Sequence, residues 1–276
     1  MKQIFRDFTA ADVPEFHIKE EERMMEAEIS AEVKGQIGEL RKYIQEAHYI
    51  VFFGGAGVST ESGIPDFRSQ DGLYHQQYEY PPETIISHSF FMQNPEGFYR
   101  FYKDRMLAPD AKPNRAHLAL AKLEQEGKLK AVITQNIDGL HQKAGSKAVY
   151  ELHGSVLRNY CMHCGKFYDL DYIVHSQGIP TCTECGGRIK PDVVLYEEGL
   201  NQDIIRGAVM HIRKADLLIV GGTSLVVYPA AGLLDYFDHT DGHKLVLINK
   251  SKTERDSLAD LCISERIGEV LSRAVG

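Results

Sequence analysis

The sequence predicts an α/β fold built on a doubly wound parallel sheet, with a small zinc-binding module set into it. Two observations carry this. Four short apolar runs, at 49–53, 131–133, 217–220 and 245–248, each stop at small or amide-bearing residues and are separated by helical patterns, as buried parallel strands with crossover helices would be. Between the second and third runs stand two CxxC pairs, Cys161/Cys164 and Cys182/Cys185.

Along the chain, residues 1–35 are rich in charge, and 18–34 (IKEEERMMEAEISAEVK) read as a solvated helix interrupted by Gly35 and Gly38. ELRKYIQEA at 39–47 reads as an amphipathic helix. YIVFF then ends at Gly54-Gly55. The run at 131–133 ends at Thr134-Gln135-Asn136, that at 217–220 at Gly221-Gly222-Thr223-Ser224, and that at 245–248 at Asn249. Helices are expected at 116–126 and 202–212. Ligands of doubly wound sheets bind outside the carboxyl ends of the strands. One polar strand end is ordinary turn chemistry; four point to a nucleotide cleft.

Composition narrows the class. The chain has 276 residues, 43% of them hydrophobic and 25% charged, with a formal net charge of −8. That suits a globular domain with an inserted module. With no long basic run, no nucleic-acid surface is expected. The start of the chain lacks a signal-peptide pattern, and its apolar runs are too short to span a bilayer. A cytoplasmic, monomeric protein with no membrane partner is expected. Cys262, the fifth cysteine, reads as a small core residue.

Cys161, Cys164, Cys182 and Cys185 are two tight turns that each offer two thiolates, enough for a tetrahedral zinc site; a redox dithiol and an iron–sulfur cluster are the alternatives. Gly165 and Gly186 follow the second cysteine of each pair, where a knuckle needs a permissive backbone. Four protein ligands leave no position for water, so one structural Zn2+ is expected, supplying folding energy to a module too small for much core. His163, inside the first knuckle, reads as a surface residue.

GAGVS at 55–59 follows the first strand, and its glycines suit close approach to a diphosphate. Thr60 occupies the third glycine position of GxGxxG, and no acidic residue closes a second strand about 20 residues on, so an ordinary dehydrogenase fits poorly. The loop continues to Phe67, which suits either the core or a ring in the cleft, and Arg68, which suits a surface acid or a phosphate. In 134–141 (TQNIDGLH), Asn136 and Asp138 suit a cleft or a helix cap. In 151–155 (ELHGS), His153 stands in a Gly-flanked turn; such a histidine can be a general base, although a lone one is more often structural.

Taken together, GAGVSTESGIPDFR at 55–68, TQNIDGLH at 134–141, ELHGS at 151–155, the two CxxC pairs, GGTSLVVYPA at 221–230 and LIN at 247–249 resemble the sirtuin family of NAD-dependent protein deacylases, in its bacterial branch. The likeness covers roughly residues 36–276. It implies a Rossmann-like NAD-binding domain over 36–156 and 190–276, a zinc module over 157–189 and a helical insertion near 72–113, with 1–35 as a helical extension.

The resemblance also implies roles. Ala56, Thr60, Thr223, Ser224, Asn249, Lys250 and Arg266 would line the NAD site, with Arg68 in the same loop. Phe67 would cover the nicotinamide pocket, Gln135, Asn136 and Ile137 would surround the ribose, Asp138 would hold the carboxamide, and His153 would be the base. NAD would be a consumed co-substrate: the acyl oxygen of the modified lysine attacks the anomeric carbon as nicotinamide leaves, His153 deprotonates a ribose hydroxyl that attacks the resulting imidate carbon, water resolves that intermediate, and the products are lysine, nicotinamide and O-acyl-ADP-ribose.

Acyl-lysine proteins or peptides would be the partners, entering past Val194 and Tyr196. Glu197-Glu198 stands where many relatives read Gly-Glu. Tyr102-x-x-Arg105, on one face of an expected helix, resembles the pair that holds the distal carboxylate in relatives preferring succinyl or malonyl lysine, or is an ordinary core-plus-surface helix. The sequence thus implies chiefly a deacetylase. The alternatives are a demalonylase or desuccinylase, a mono-ADP-ribosyltransferase, and a zinc-ribbon adaptor with a degenerate NAD site.

Overall fold

The computed structural model describes residues 29–67, 72, 78–240 and 242–276. Most of the extension expected over 1–35 lies outside them. Helix α1 (Ala31–Glu46) runs unbroken through Gly35 and Gly38, where an interruption was expected, so residue 35 is no structural boundary. Ser30 caps it, its Oγ accepting from the Val33 N–H at 3.2 Å. Both glycines sit on the exposed face with open space where a Cβ would be. Each costs a helix about 1 kcal/mol relative to Ala; the buried stripe Ile37, Leu40 and Ile44 on the opposite face offsets that.

Strand β1 (Ile50–Gly54) is buried along its whole length. After it come three short helices, α2 (Pro82–Ile85), α3 (His88–Gln93) and α4 (Pro95–Phe101), then a π turn at Tyr102–Met106. Helix α5 (Arg115–Gln125) leads to β2 (Leu129–Thr134), α6 (Leu140–Lys143) and β3 (Val149–Glu151). The second sheet follows: β4 (Gly154–Cys161), β5 (Phe167–Tyr168), α7 (Leu170–His175) and β6 (Ile189–Val193). The chain then returns through α8 (Gln202–Lys214), β7 (Leu217–Gly221), β8 (Lys244–Ile248), β9 (Leu261–Ile263) and α9 (Ile267–Val275).

Six strands form one parallel sheet in the order β3-β2-β1-β7-β8-β9. The chain builds outward from β1 to β3, then returns to place β7 on the other side of β1. Strand order therefore reverses between β1 and β7, which opens a crevice at their carboxyl ends. Both faces are covered. Phe52 points into a core with α1, α5 and α9, and Val51 and Phe53 into one with α8.

The small sheet is antiparallel, in the order β5-β4-β6. Its core is shared with the helical insertion: Phe91, Phe98, Tyr99 and Tyr102 pack with Val156, Tyr168, Ile173 and Ile189. The zinc module is thus not left to the metal alone for its stability, because the insertion supplies an aromatic wall.

Candidate active site

The cleft at the switch point has a volume of about 1360 Å³. Its floor is the glycine loop after β1. Gly57 donates its N–H to the Gly222 carbonyl at 2.8 Å, and Gly55 to that of Gly221 at 3.2 Å. A Cβ on Gly57 would lie 2.7 Å from Gly222 Cα, and one on Gly222, at φ +61°, 2.4 Å from the Val58 nitrogen. These glycines let the loop close on the end of β7. Asn114 braces the loop from the other side, its Nδ2 donating to the Val58 carbonyl at 2.8 Å and to Ser62 Oγ at 3.0 Å. Glu61 accepts from the Gly268 N–H at 2.7 Å and so binds the loop to the first turn of α9.

The second wall follows β2. The Gln135 N–H donates to the Gly54 carbonyl at 2.9 Å, and Gln135 Nε2 to Thr223 Oγ1 at 3.0 Å, which ties the ends of β2 and β7 together. Asn136 Nδ2 donates to Ser59 Oγ at 3.0 Å, and Ser59 Oγ donates onward to Asp138 Oδ2 at 2.7 Å. The other Asp138 oxygen accepts from the Leu140 N–H at 2.8 Å. Asp138 thus lines the cleft and also holds the first N–H of α6, whose N-cap position is Gly139. Ser59 was assigned no role from sequence, although it stands in the quoted GAGVS segment; its function appears only once 59, 136 and 138 converge.

His153 sits between the two sheets. Its Nδ1 lies 2.9 Å from the Gln135 carbonyl. A carbonyl only accepts, so Nδ1 carries the proton and Nε2 is the basic nitrogen, in a side chain that lines the cleft. Burial holds the imidazole below its ordinary pKa, against the opposing effect of the Gln135 carbonyl. The ring is therefore neutral at pH 7, the form a general base needs. The next residue, Gly154, has φ +74°, and a Cβ there would meet the Asp192 carbonyl oxygen at 1.9 Å. Only glycine lets the chain turn there from the main sheet into the small one.

Thr223, Ser224, Asn249, Lys250 and Arg266 line the far side. Asn249 Oδ1 accepts from the Thr223 N–H at 2.9 Å, while its buried Nδ2 has no protein partner among the described residues. That orphaned donor, the neighbouring hydroxyls and the basic side chains of Lys250 and Arg266 fit a nucleotide carrying ribose and phosphate. Ala56, Thr60 and Ile137 also face the cleft. Phe67 packs, partly buried, against Ile85, Ile86 and Phe101 and also lines the cleft. Arg68 lies outside the described residues.

At the cleft entrance, Val194 donates its N–H to the His153 carbonyl at 3.0 Å. Tyr196 is bridged to Ser87, its N–H donating to the Ile86 carbonyl at 3.1 Å and its carbonyl accepting from His88 at 3.0 Å. Tyr102 and Arg105 are not brought together there. The expected helix ends at Phe101, and the π turn that follows abolishes the common face. Tyr102 is fully buried, stacked on Phe98 at 5.4 Å. Arg105 reaches the cleft wall and pairs with Asp104 at 2.7 Å.

The four cysteine sulfurs lie within 4.8 Å of one another. Cys161 and Cys185, and Cys164 and Cys182, approach to 3.5 Å, near the ~3.8 Å sulfur separation of a tetrahedron with 2.3 Å Zn–S bonds. The His163 and Cys164 N–H groups point at Cys161 Sγ at 3.4 and 3.5 Å, and that of Glu184 at Cys182 Sγ at 3.4 Å, as donors to thiolates would. Gly165 and Gly186 have φ +74° and +68°, the left-handed knuckles expected of them. The set fits one structural Zn2+.

A protein-family model described as the Sir2 family matches residues 55–229. The chain belongs to the Sir2 family. It is similar to proteins named NAD-dependent protein deacetylase from Clostridium perfringens, 60% identical over 87% of this chain and 98% of that one, and from Clostridium acetobutylicum, 61% identical over 87% and 98%. Among solved Sir2 structures, one described as Sir2 with a p53 peptide and NAD+ is 44% identical, with a TM-score of 0.75 over 85% of this chain and 95% of that one. Another, Sir2Tm bound to a propionylated peptide, is 43% identical, with a TM-score of 0.75 over 86% and 96%. No described helix of this Sir2 chain is long and apolar enough to cross a membrane.

Proposed function

We propose that this chain is an NAD-dependent protein deacetylase that removes acyl groups, chiefly acetyl, from lysine side chains and releases nicotinamide and O-acyl-ADP-ribose. The observation that carries this reading is His153, whose Nδ1 is committed to the Gln135 carbonyl so that Nε2 is the ring's acceptor in the same cleft as Asn136 and Asp138.

Bound NAD supplies the electrophile, an anomeric carbon whose pyridine base can depart. The chain's residues do the rest. Thr223, Ser224, Asn249, Lys250 and Arg266 hold the adenosine and phosphate half, with Ala56 and Thr60 at the loop. Gln135, Asn136 and Ile137 shape the ribose site, and Asp138, oriented by Ser59 and the Leu140 N–H, holds the carboxamide. Phe67 excludes water, which strengthens electrostatic stabilisation as the sugar gains positive charge. His153 Nε2 takes the proton of a ribose hydroxyl.

The acyl-lysine enters past Val194 and Tyr196, its backbone adding a strand between this segment and 224–228. Arg105 alone, without Tyr102, does not make a selective carboxylate site, which favours acetyl over malonyl or succinyl groups. The chain is read as a cytoplasmic monomer, because the residues named above for cofactor and substrate line one cleft of a single chain.

The test is to incubate the protein with an acetyl-lysine peptide and NAD and weigh the products. O-acetyl-ADP-ribose and free lysine peptide are expected. Transfer of ADP-ribose to protein without peptide deacetylation, or NAD binding with no turnover, would contradict the reading.

A further inference from the structure

The turn that carries Tyr196 is built against its own residue types. Leu195, Tyr196, Glu197 and Glu198 form a β-turn closed by the Glu198 N–H on the Leu195 carbonyl at 3.0 Å. Glu197, the third residue, has φ +77°. A type II turn puts its third residue in the left-handed region, where Gly is favoured and a longer side chain is strained. Ser89 compensates: its N–H and Oγ both donate to Glu197 Oε2, at 2.9 and 2.7 Å. These donors hold the carboxyl below the usual carboxylate range, so it is charged at neutral pH and fixed in direction.

The two adjacent glutamates differ in what surrounds them. Glu198 is largely buried and neutralised, taking Lys190 at 3.0 Å, His88 at 2.8 Å and the Leu195 N–H at 2.9 Å. Glu197 is exposed, lies on the cleft wall beside Tyr196, and makes no ion pair with Lys, Arg or His among the described residues. Among the described residues, Glu197 is thus a tethered carboxylate at the entrance with no cationic side chain within ion-pair distance.

We propose that Glu197 is a specificity-determining residue, selecting acyl-lysine peptides that carry a basic residue close to the modified lysine. The inference rests on the deacetylase reading above. Acylation removes the charge of the target lysine, so discrimination by charge must come from its neighbours. A rim carboxylate steers such neighbours and gives a modest, salt-sensitive preference. Because Ser89 already fixes the carboxylate, pairing with a substrate loses less side-chain freedom than for an untethered Glu.

The test compares kcat/KM for three acetyl-lysine peptides identical except for Arg, Ala or Glu at the flanking positions, with the wild type and Glu197→Gln, at low and high salt. The wild type is expected to favour the Arg peptide over the Glu peptide by about fivefold at low salt, the scale of an exposed ion pair. High salt, and Glu197→Gln at either salt, are expected to bring that ratio below about twofold. Equal use of the three peptides by the wild type, or a ratio undiminished in Glu197→Gln, would overturn the proposal. Should Glu197→Gln fold poorly, Glu197→Gly, which suits the left-handed position of this turn, replaces it in the same comparison with the same expected loss of the ratio. Deacetylation of none of the peptides would refute the deacetylase reading itself, and the inference with it.

Discussion

Ser59 and Asp138, 79 residues apart in the chain, meet through a 2.7 Å hydrogen bond in which the serine hydroxyl donates to the carboxylate. Ser59 is buried, and the same oxygen accepts from Asn136. One hydroxyl thus orients both the amide and the carboxylate proposed to hold the nicotinamide ribose and carboxamide. Ser59→Ala leaves a half-buried amide donor and a carboxylate oxygen without this partner, at a cost of about 1–3 kcal/mol. We expect kcat/KM for an acetyl-lysine peptide to fall about tenfold or more, with the fold retained by circular dichroism. Activity within twofold of the wild type would remove Ser59 from the site's framework.

Tyr102 gives an opposite expectation. Its hydroxyl is buried with no hydrogen-bond partner among the described residues. Removing an unsatisfied polar group relieves a desolvation cost. Tyr102→Phe should leave the thermal midpoint unchanged or raise it, and should leave the ratio of acetyl to succinyl peptide turnover unchanged. A selective loss of succinyl or malonyl turnover would restore the acidic-acyl reading.

Much of the fold was legible because its signals are local and strong. The apolar runs at 49–53, 131–133, 217–220 and 245–248 became β1, β2, β7 and β8, since a strand buried on both faces needs no alternation. β3 and β9, three residues each, are too short to announce themselves. The unbroken α1 and the π turn at Tyr102 were missed for one reason. Local propensity favours a stop at Gly35 and a continued helix at Tyr102, and tertiary packing overrides both. Ser59, Glu61 and Asn114 gave no sequence signal because each acts on a partner more than 50 residues away.

Chelation should act locally. The four thiolates close β4, β5 and the two knuckles, while β6 and α7 also rest on the aromatic wall of the insertion. Stripping zinc is expected to expose residues 161–187 to protease while the main sheet persists as a protected fragment. Unchanged protease resistance with metal loss verified would contradict a structural metal.

Two histidines behind Asp138 predict a pH dependence of stability. His117 and His141 are buried edge-to-face at 4.7 Å, and burial pushes their pKa values down to about 4 and about 3. Both are lowered from the ordinary 6.5, so below that pH the unfolded chain takes up protons that the native state refuses. Their contribution is complete above about pH 6.5 and is lost as the pH falls towards 4. The urea midpoint should drop between about pH 7.5 and about pH 5, and drop less in His141→Phe. A midpoint equally acid-sensitive in that variant would assign the loss to other groups.

The decisive measurement is the pair of constants for His153→Ala: kcat/KM on an acetyl-lysine peptide and the dissociation constant for NAD. A general base contributes about 10²–10⁴-fold, and truncating its side chain leaves the groups proposed for the cofactor in place. A loss of at least about a hundredfold in kcat/KM, with NAD affinity within about threefold of the wild type, is predicted. Deacetylation at the wild-type rate would contradict the role of His153.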